Sequence, residues 1–154
     1  LQESNEKVRL LSFELGSSTL YRLGLRAAVK ELCEGMARRY NARFTVLDDG
    51  DPQEVDQSSA IALFKSVREL LFNVVKHTCV KEATVSICRE GAMLKLAVED
   101  RGIGFPRSFG DGYLDADHGL GLFGIQERLR DLGGRMRIDS QPNVLTRVTL
   151  WAPL

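Results

Sequence analysis

The sequence predicts an α+β fold: a two-layer α/β sandwich in which helices cover one face of a mixed, mostly antiparallel sheet. Two observations support this class. Segments with helical periodicity and segments with strand alternation are interspersed along the 154 residues. Two pairs of consecutive strand segments are separated only by short turns, which indicates hairpins and argues against a doubly wound parallel sheet. A chain of this length is expected to form one domain with its own core.

The first segments are predicted to be helical. The sequence opens within a pattern and without an initiator methionine. Residues 1–16 are therefore interpreted as the end of a helix, and residues 17–154 as the domain itself. Residues 17–39 are predicted to form one helix, capped by Ser17, Ser18 and Thr19. Six apolar residues recur there at helical spacing: Leu20, Leu23, Ala27, Ala28, Leu32 and Met36.

The remaining elements follow from alternation, periodicity and turn residues. Strands are predicted at residues 42–47, 83–90, 92–100, 135–140 and 145–153, with a hairpin turn at Glu90 and Gly91. A long helix is predicted at 57–78, after the turn-forming segment DDGDPQEVD. Another is predicted at 122–134, closed by Gly133 and Gly134. Residues 101–119 are rich in glycine and charge and are interpreted as a loop.

Composition narrows the class of protein. Lys plus Arg and Asp plus Glu both number 21, so the net charge of zero argues against a nucleic-acid partner. No apolar run approaches the length that crosses a bilayer, so we expect no direct membrane insertion of this domain. The three cysteines are far apart and are expected to be reduced thiols of a cytoplasmic domain rather than zinc ligands: Cys33, Cys79 and Cys88.

The helix predicted at 57–78 has two unlike faces. On a helical wheel its apolar residues cluster on one side and predict the core: Leu63, Val67, Leu70, Leu71 and Val74. The other side carries a carboxylate, an amide, an amine and an imidazole: Glu69, Asn73, Lys76 and His77. A solvated outer face and a binding site both fit this pattern, and a site requires that other elements converge on it.

Two glycine-rich segments are candidates to converge there. Asp100 ends a strand in phase with Leu94, Leu96 and Val98, so its carboxylate needs a donor; a simple turn cap would also satisfy it. Gly102 and Gly104 follow and allow a sharp turn and close approach of a ligand. Further on, the segment HGLGLFG is predicted to place Gly119 and Gly121 just before a helix, where free amides suit phosphate, although a glycine-rich helix start without a ligand is equally possible. A P-loop is excluded, and a Rossmann unit is disfavoured because no strand precedes these glycines.

Taken together, these segments resemble a known family. The order RELLFNVVKH, DRGIGF and HGLGLFGIQERL is similar to the N box and the two glycine boxes of the Bergerat-type ATP-binding domain shared by sensor histidine kinases, Hsp90, gyrase B and MutL. The resemblance covers about residues 10–154. It is strongest for sensor histidine kinases of the nitrate-sensor type.

This resemblance implies roles for individual residues. Asp100 would bind the adenine amino group, and Asn73 would offer its oxygen to Mg²⁺, which prefers oxygen ligands. Lys76 and His77 would lie near the phosphates or the ribose. Glu69 matches a glutamate that activates water in the ATPase relatives; Glu69 and Lys76 are therefore the candidate catalytic residues, with ATP and Mg²⁺ as cofactors.

The glycine boxes are implied to shape the rest of the nucleotide site. Gly102 and Gly104 would form the adenine pocket, and Phe105 would lie at the hinge of an ATP lid at 106–118. The lid is expected to be mobile without nucleotide. The phosphates would be bound at the end of the lid and the start of the next helix by His118, Gly119, Leu120, Gly121 and Leu122.

The sequence departs from the family pattern at two places. Alanine is usual where Thr78 stands, and only Thr146 is kept of the Gly-Thr pair that commonly precedes the last strand. Thr146 would contact the nucleotide. The phosphoacceptor box is also absent, so the resemblance implies the catalytic part of a histidine kinase alone. Its substrate histidine would lie on an upstream dimerisation domain of the same protein, and residues 1–16 would be the end of the linker helix from that domain.

The resemblance also implies partners and leaves alternatives open. The full protein would be a homodimer, membrane-anchored or not, that phosphorylates a response regulator. A nucleotide-binding regulatory module, or an anti-sigma-type serine kinase on the same scaffold, would share these boxes. An upstream helix with a histidine followed by an acidic residue would distinguish the kinase.

Overall fold

The computed structural model describes residues 18–102 and 116–154, with only the backbone described for 116–120. These ranges contain four helices and five strands, in the order α1 (Ser18–Leu23), α2 (Leu25–Tyr40), β1 (Arg43–Asp48), α3 (Gln57–His77), β2 (Glu82–Glu90), β3 (Met93–Asp100), α4 (Ala116–Asp131), β4 (Arg135–Gln141) and β5 (Leu145–Pro153). The helix end predicted at 1–16, and Gly104 and Phe105, lie outside the described residues. Most of the predicted lid also lies outside them.

The strands form one mixed sheet, as predicted. Their order is β1-β2-β3-β5-β4, with β1 parallel to β2 and the other pairs antiparallel. Both predicted hairpins are confirmed, and Gly91 in the first turn has a φ of 63°. The register aligns Ala83, Asp100 and Thr146 side by side on three neighbouring strands.

One face of this sheet packs against the helices and forms the core. The inward residues of the central strands are almost fully buried, among them Val85, Leu96 and Leu150. Helix α3 packs against the sheet between α2 and α4. Its predicted core residues all have 3% exposure or less: Leu63, Val67, Leu70, Leu71 and Val74. Helical periodicity therefore identified the buried face of α3 correctly.

The single helix predicted at 17–39 is wrong, because Gly24 interrupts it. Gly24 has a φ of 89°, and a Cβ built there would lie 2.1 Å from Oε1 of Glu54. Glycine is favoured at this position because it adopts a positive φ without strain, and the Glu54 side chain occupies the space beside it. The break turns Leu23 outwards, so 63% of this predicted core residue is exposed. Thr19 lies inside α1, where its hydroxyl donates to Glu31 instead of capping a helix.

Helix α3 begins after the non-helical segment that contains Pro52, and a side chain caps its first turn. The carboxylate of Asp56 accepts a hydrogen bond from the Ser59 N–H at 2.7 Å, and this bond lowers the pKa of Asp56. The helix ends at His77, one residue before the predicted boundary, and Thr78 continues in an extended conformation. The polar residues predicted on the outer face of α3 are thus fixed on a helix anchored at both ends.

Helix α4 begins earlier in the chain than predicted. Its first residue is Ala116, so Gly119 and Gly121 lie within the helix and not before it. The predicted C-terminus is confirmed: the N–H of Gly134 donates to the Leu129 carbonyl at 2.7 Å, and that of Gly133 to the Arg130 carbonyl at 3.0 Å. With a φ of 77° at Gly133, this is a Schellman motif.

Two expectations from composition can be compared with the structure. Cys33, Cys79 and Cys88 are all free thiols, and burial raises the pKa of Cys33 to about 12, so this thiol is unreactive. None of the helices in the described ranges combines the length and apolar character needed to cross a bilayer.

Candidate nucleotide-binding site

The outer face of α3 supplies the polar side chains at the centre of the candidate site. Glu69, Asn73 and His77 are partly buried, and Lys76 is exposed. The Nδ2 atom of Asn73 is buried and has no hydrogen-bond partner among the described residues. A buried amide nitrogen without an acceptor costs free energy, so Asn73 is suited to a ligand that supplies oxygen atoms.

Asp100 lies at the end of β3, next to this face. Its Oδ1 accepts a hydrogen bond of 2.9 Å from the Gly102 N–H. Burial raises the pKa of the Asp100 carboxyl above its usual value, the Gly102 hydrogen bond opposes that rise, and the negative charge of Glu99 adds to it. A partly buried carboxylate with one oxygen already bonded can accept from a donor such as an exocyclic amino group.

Thr146 is directly opposite Asp100 on β5. Only 5% of its surface is exposed. Its hydroxyl lies 3.3 Å from the hydroxyl of Ser140 on β4, which also pairs with it across the sheet. Asp100, Thr146 and Ser140 therefore form a polar row at one end of the sheet. Ser140 was not predicted, because only the strand register shows that it neighbours Thr146.

Helix α3 contacts one glycine-rich segment through Glu69, and Thr78, the residue after the helix, contacts the other. A Cβ added to Gly102 would lie 2.5 Å from Cγ2 of Thr78 and 2.8 Å from Oδ1 of Asp100. A Cβ added to Gly121 would lie 2.5 Å from Oε1 of Glu69. Gly102 thus packs closely against Thr78, and Gly121 packs closely against the Glu69 side chain. The second glycine segment therefore lies against Glu69, on the side of α3 that also carries Asn73, and the first lies at the C-terminal end of that helix.

The phosphate-binding segment is built differently from the prediction. In an α-helix only the first four N–H groups lack helical acceptors, and α4 starts at Ala116. The backbone amides of His118 and Gly119 belong to that first turn, whereas those of Leu120, Gly121 and Leu122 follow it. The side chain of Leu122 is 1% exposed and packs in the core. Phosphate contact through amides as far as Leu122 is therefore disfavoured.

The donor set is compatible with a magnesium ion bound mainly by nucleotide. Within residues 18–102 and 116–154 no group of three or more His, Cys, Asp or Glu side chains could form a metal site. Mg²⁺ is commonly bound through one or two protein oxygens together with phosphates and waters. Asn73 offers one amide oxygen, and its unpaired amide nitrogen could meet a phosphate oxygen.

A mixed sheet with helices on one face, and a polar helix facing two glycine segments, defines a nucleotide-binding domain of the α/β sandwich class. The family comparison agrees: the model described as histidine kinase-, DNA gyrase B- and HSP90-like ATPase matches residues 58–154. The chain belongs to this family.

Sensor histidine kinases are among the proteins whose sequences are similar to this chain. The chain is 36% identical over 149 residues to the oxygen sensor histidine kinase NreB of Staphylococcus carnosus. That alignment includes 97% of this chain and 42% of NreB, so the chain spans less than half the length of this relative.

Solved structures show the same fold at low sequence identity. The histidine kinase domain of the Erythrobacter litoralis EL346 blue-light activated kinase superposes with a TM-score of 0.68 at 20% identity, covering 84% of this chain and 65% of that one. Full-length ShkA in complex with AMPPNP gives a TM-score of 0.68 at 18% identity, covering 84% and 29%.

Proposed function

We propose that this chain is the ATP-binding catalytic domain of a two-component sensor histidine kinase. It would bind ATP and transfer the γ-phosphoryl group to a histidine on a dimerisation domain of the same protein. The observation that carries the proposal is the unpaired, buried Nδ2 of Asn73, which lies on α3 between Glu69, the contact of Gly121, and Thr78, the contact of Gly102. The AMPPNP complex of the structurally similar ShkA is consistent with ATP as the ligand.

In this proposal the adenine base is bound at the end of the sheet, by Asp100 and Thr146. Asp100 accepts from the exocyclic amino group through the oxygen that Gly102 leaves available. The buried Thr146 hydroxyl lies beside it and can donate to the base directly or through a water. Gly102 would let the backbone approach the ring, and Gly104 and Phe105, which lie outside the described residues, keep their expected roles in the adenine pocket and at the lid hinge.

The outer face of α3 would position the triphosphate. The amide oxygen of Asn73 would bind Mg²⁺, which screens the negative charge of the phosphates when bound. Lys76 is exposed and can reach the phosphates, and His77 is partly buried one residue further on. The first turn of α4, with the amides of His118 and Gly119, adds the positive end of a helix dipole.

The transfer itself would depend on positioning and charge stabilisation. The attacking imidazole nitrogen forms a bond to the γ-phosphorus while the bridging oxygen leaves with ADP. Lys76 would stabilise charge on the transferred group. Glu69 lies against Gly121 of α4, so its carboxylate can orient that helix beside the phosphates.

The proposal extends to the cellular setting. We assign the domain to the cytoplasm, with a response regulator as the downstream partner and homodimerisation through the upstream domain. A regulatory nucleotide-binding module and an anti-sigma-type serine kinase remain the alternatives, but the similar proteins are named as histidine kinases.

The test is transfer of label from γ-labelled ATP. We expect no phosphohistidine on this chain alone, because His77 is fixed within α3 and His118 within the backbone of α4. Adding the dimerisation domain encoded upstream should give label on that domain, slowly, because tethering is lost. Acid-labile, base-stable label on the isolated chain would contradict the proposal, and label on serine of an added protein would favour the anti-sigma alternative.

Replacing Asn73 with alanine should weaken ATP binding by about tenfold in Mg²⁺, because the metal loses its protein oxygen. Affinity in EDTA should change little. Calorimetry under both conditions measures the difference, and wild-type protein in EDTA provides the reference. An equal loss with and without Mg²⁺ would show that Asn73 contacts phosphate through its amide nitrogen and does not bind the metal.

A further inference from the structure

Thr78 occupies the junction between the phosphate side and the adenine side of the candidate site. It is the first residue after α3, and its extended backbone leads the chain towards β2. Its N–H donates to the Val74 carbonyl at 3.1 Å. Its hydroxyl lies 2.7 Å from the same carbonyl and 2.9 Å from the Val80 carbonyl. These bonds fix the rotamer of Thr78 and therefore the position of its methyl group.

That methyl group is packed against Gly102. A Cβ at Gly102 would lie 2.5 Å from Cγ2 of Thr78, which places the methyl in contact with the glycine backbone. The same added Cβ would lie 2.8 Å from Oδ1 of Asp100, so the methyl group and the carboxylate approach Gly102 on the side where other residues carry their Cβ. These two contacts confine Gly102, whose own N–H donates to the same carboxylate oxygen.

This confinement determines how the carboxylate is oriented. The Gly102 N–H bonds Oδ1 at 2.9 Å, and that bond leaves Oδ2 as the acceptor available to a base. If Gly102 could shift into space vacated by the Thr78 methyl, the hydrogen bond would move and the carboxylate would rotate with it. Small errors in the angle of a polar group weaken recognition strongly, because a buried donor is then left poorly paired.

We propose that Thr78 is a positioning residue for adenine recognition, and that it acts through Gly102 on the Asp100 carboxylate. This inference rests on the proposed function, in which Asp100 accepts from the adenine amino group. A Thr78 that served only to end α3 would affect folding and would weaken every nucleotide equally. A positioning Thr78 affects discrimination for the amino group.

The experiment compares ATP with purine riboside triphosphate, which lacks that amino group. The ratio of their dissociation constants is measured by calorimetry for wild type, Thr78→Ser and Thr78→Val. Serine keeps the hydroxyl and removes the methyl, so we expect the ratio to fall by about fivefold or more. A change of this size is typical when two residues in contact depend on each other energetically. Valine keeps the methyl and removes the hydroxyl, so the ratio should stay within about twofold of wild type, although the variant will be less stable.

Two further variants make the result decisive. Asp100→Asn should abolish discrimination; if it does not, the adenine-reading role of Asp100 is wrong and the proposed site fails with it. If Asp100→Asn behaves as expected while Thr78→Ser keeps the wild-type ratio, only the role of Thr78 is overturned. Gly102→Ala displaces the same contact from the other side and should lower the ratio whether or not Thr78→Ser folds well.

Discussion

Replacing Asp100 with alanine is expected to abolish nucleotide binding in the measurable range. The variant removes the acceptor for the adenine amino group, and a hydrogen bond to a charged group contributes about 1.5–3 kcal/mol. Affinity should fall by about 100-fold or more, since the amino group would also lose its bond to water on binding. Calorimetry with Mg-ATP measures the change.

The same carboxylate should reduce the stability of the protein without nucleotide. Burial raises the folded-state pKa of Asp100 above its unfolded value, so between those two pKa values the folded protein binds more protons than the unfolded chain. Ionised Asp100 therefore opposes folding at neutral pH, and this cost is relieved as the pH falls through the folded-state pKa. The melting temperature of Asp100→Asn should equal that of the wild type or exceed it. The nucleotide affinity of the wild type should decline as the pH falls through the folded-state pKa of Asp100.

Glu99 provides the matched control for both measurements. It neighbours Asp100 in sequence, but on the opposite face of the sheet, where it forms an ion pair with Arg147. Glu99→Gln should leave affinity nearly unchanged. If Asp100→Asn lowered the melting temperature and kept its affinity, Asp100 would be a structural turn residue, the simpler interpretation that the sequence also allowed.

Local patterns predicted the elements of this domain better than their junctions. The faces of α3 followed from periodicity alone, because a long helix that packs on a sheet must bury one continuous stripe. The break at Gly24 did not follow, since Leu20 and Ala28 fit one helix and only the tertiary contact with Glu54 shows why the chain turns there. The strand order and the parallel pairing of β1 with β2 depend on long-range contacts that no local pattern specifies.

The candidate site shows the same division. Asp100 and Thr146 were identified separately in the sequence, and the register makes them direct neighbours. The contacts of Thr78 with Gly102 and of Glu69 with Gly121 required coordinates, because each joins residues more than twenty positions apart. The start of α4 was misplaced because glycine-rich sequence normally indicates a loop, whereas here helical backbone extends through Gly119 and Gly121.

Replacing Gly134 with alanine is expected to be the most destabilising single change among the glycines of the described ranges. A Cβ there would lie 2.2 Å from the Trp151 carbonyl oxygen and 3.2 Å from that of Leu129. Both are backbone atoms, so no side chain can rotate away, and either β5 or the end of α4 must shift. The Schellman bond from the Gly134 N–H to Leu129 would be distorted as well. We expect a loss of about 3 kcal/mol in the free energy of unfolding.

Gly133→Ala is the matched control, one residue earlier in the same motif. A Cβ at Gly133 would meet only Pro153 Cγ at 3.5 Å, an ordinary contact, so its cost is limited to a non-glycine residue at a φ of 77°, about 1–2 kcal/mol. Urea unfolding of both variants measures the difference. Equal losses would show that backbone conformation, and not the approach of α4 to β5, requires the glycine pair. A larger loss for Gly134→Ala, with ATP affinity retained in the folded fraction, would show that the close contact at this junction stabilises the sheet and α4 without entering the nucleotide site.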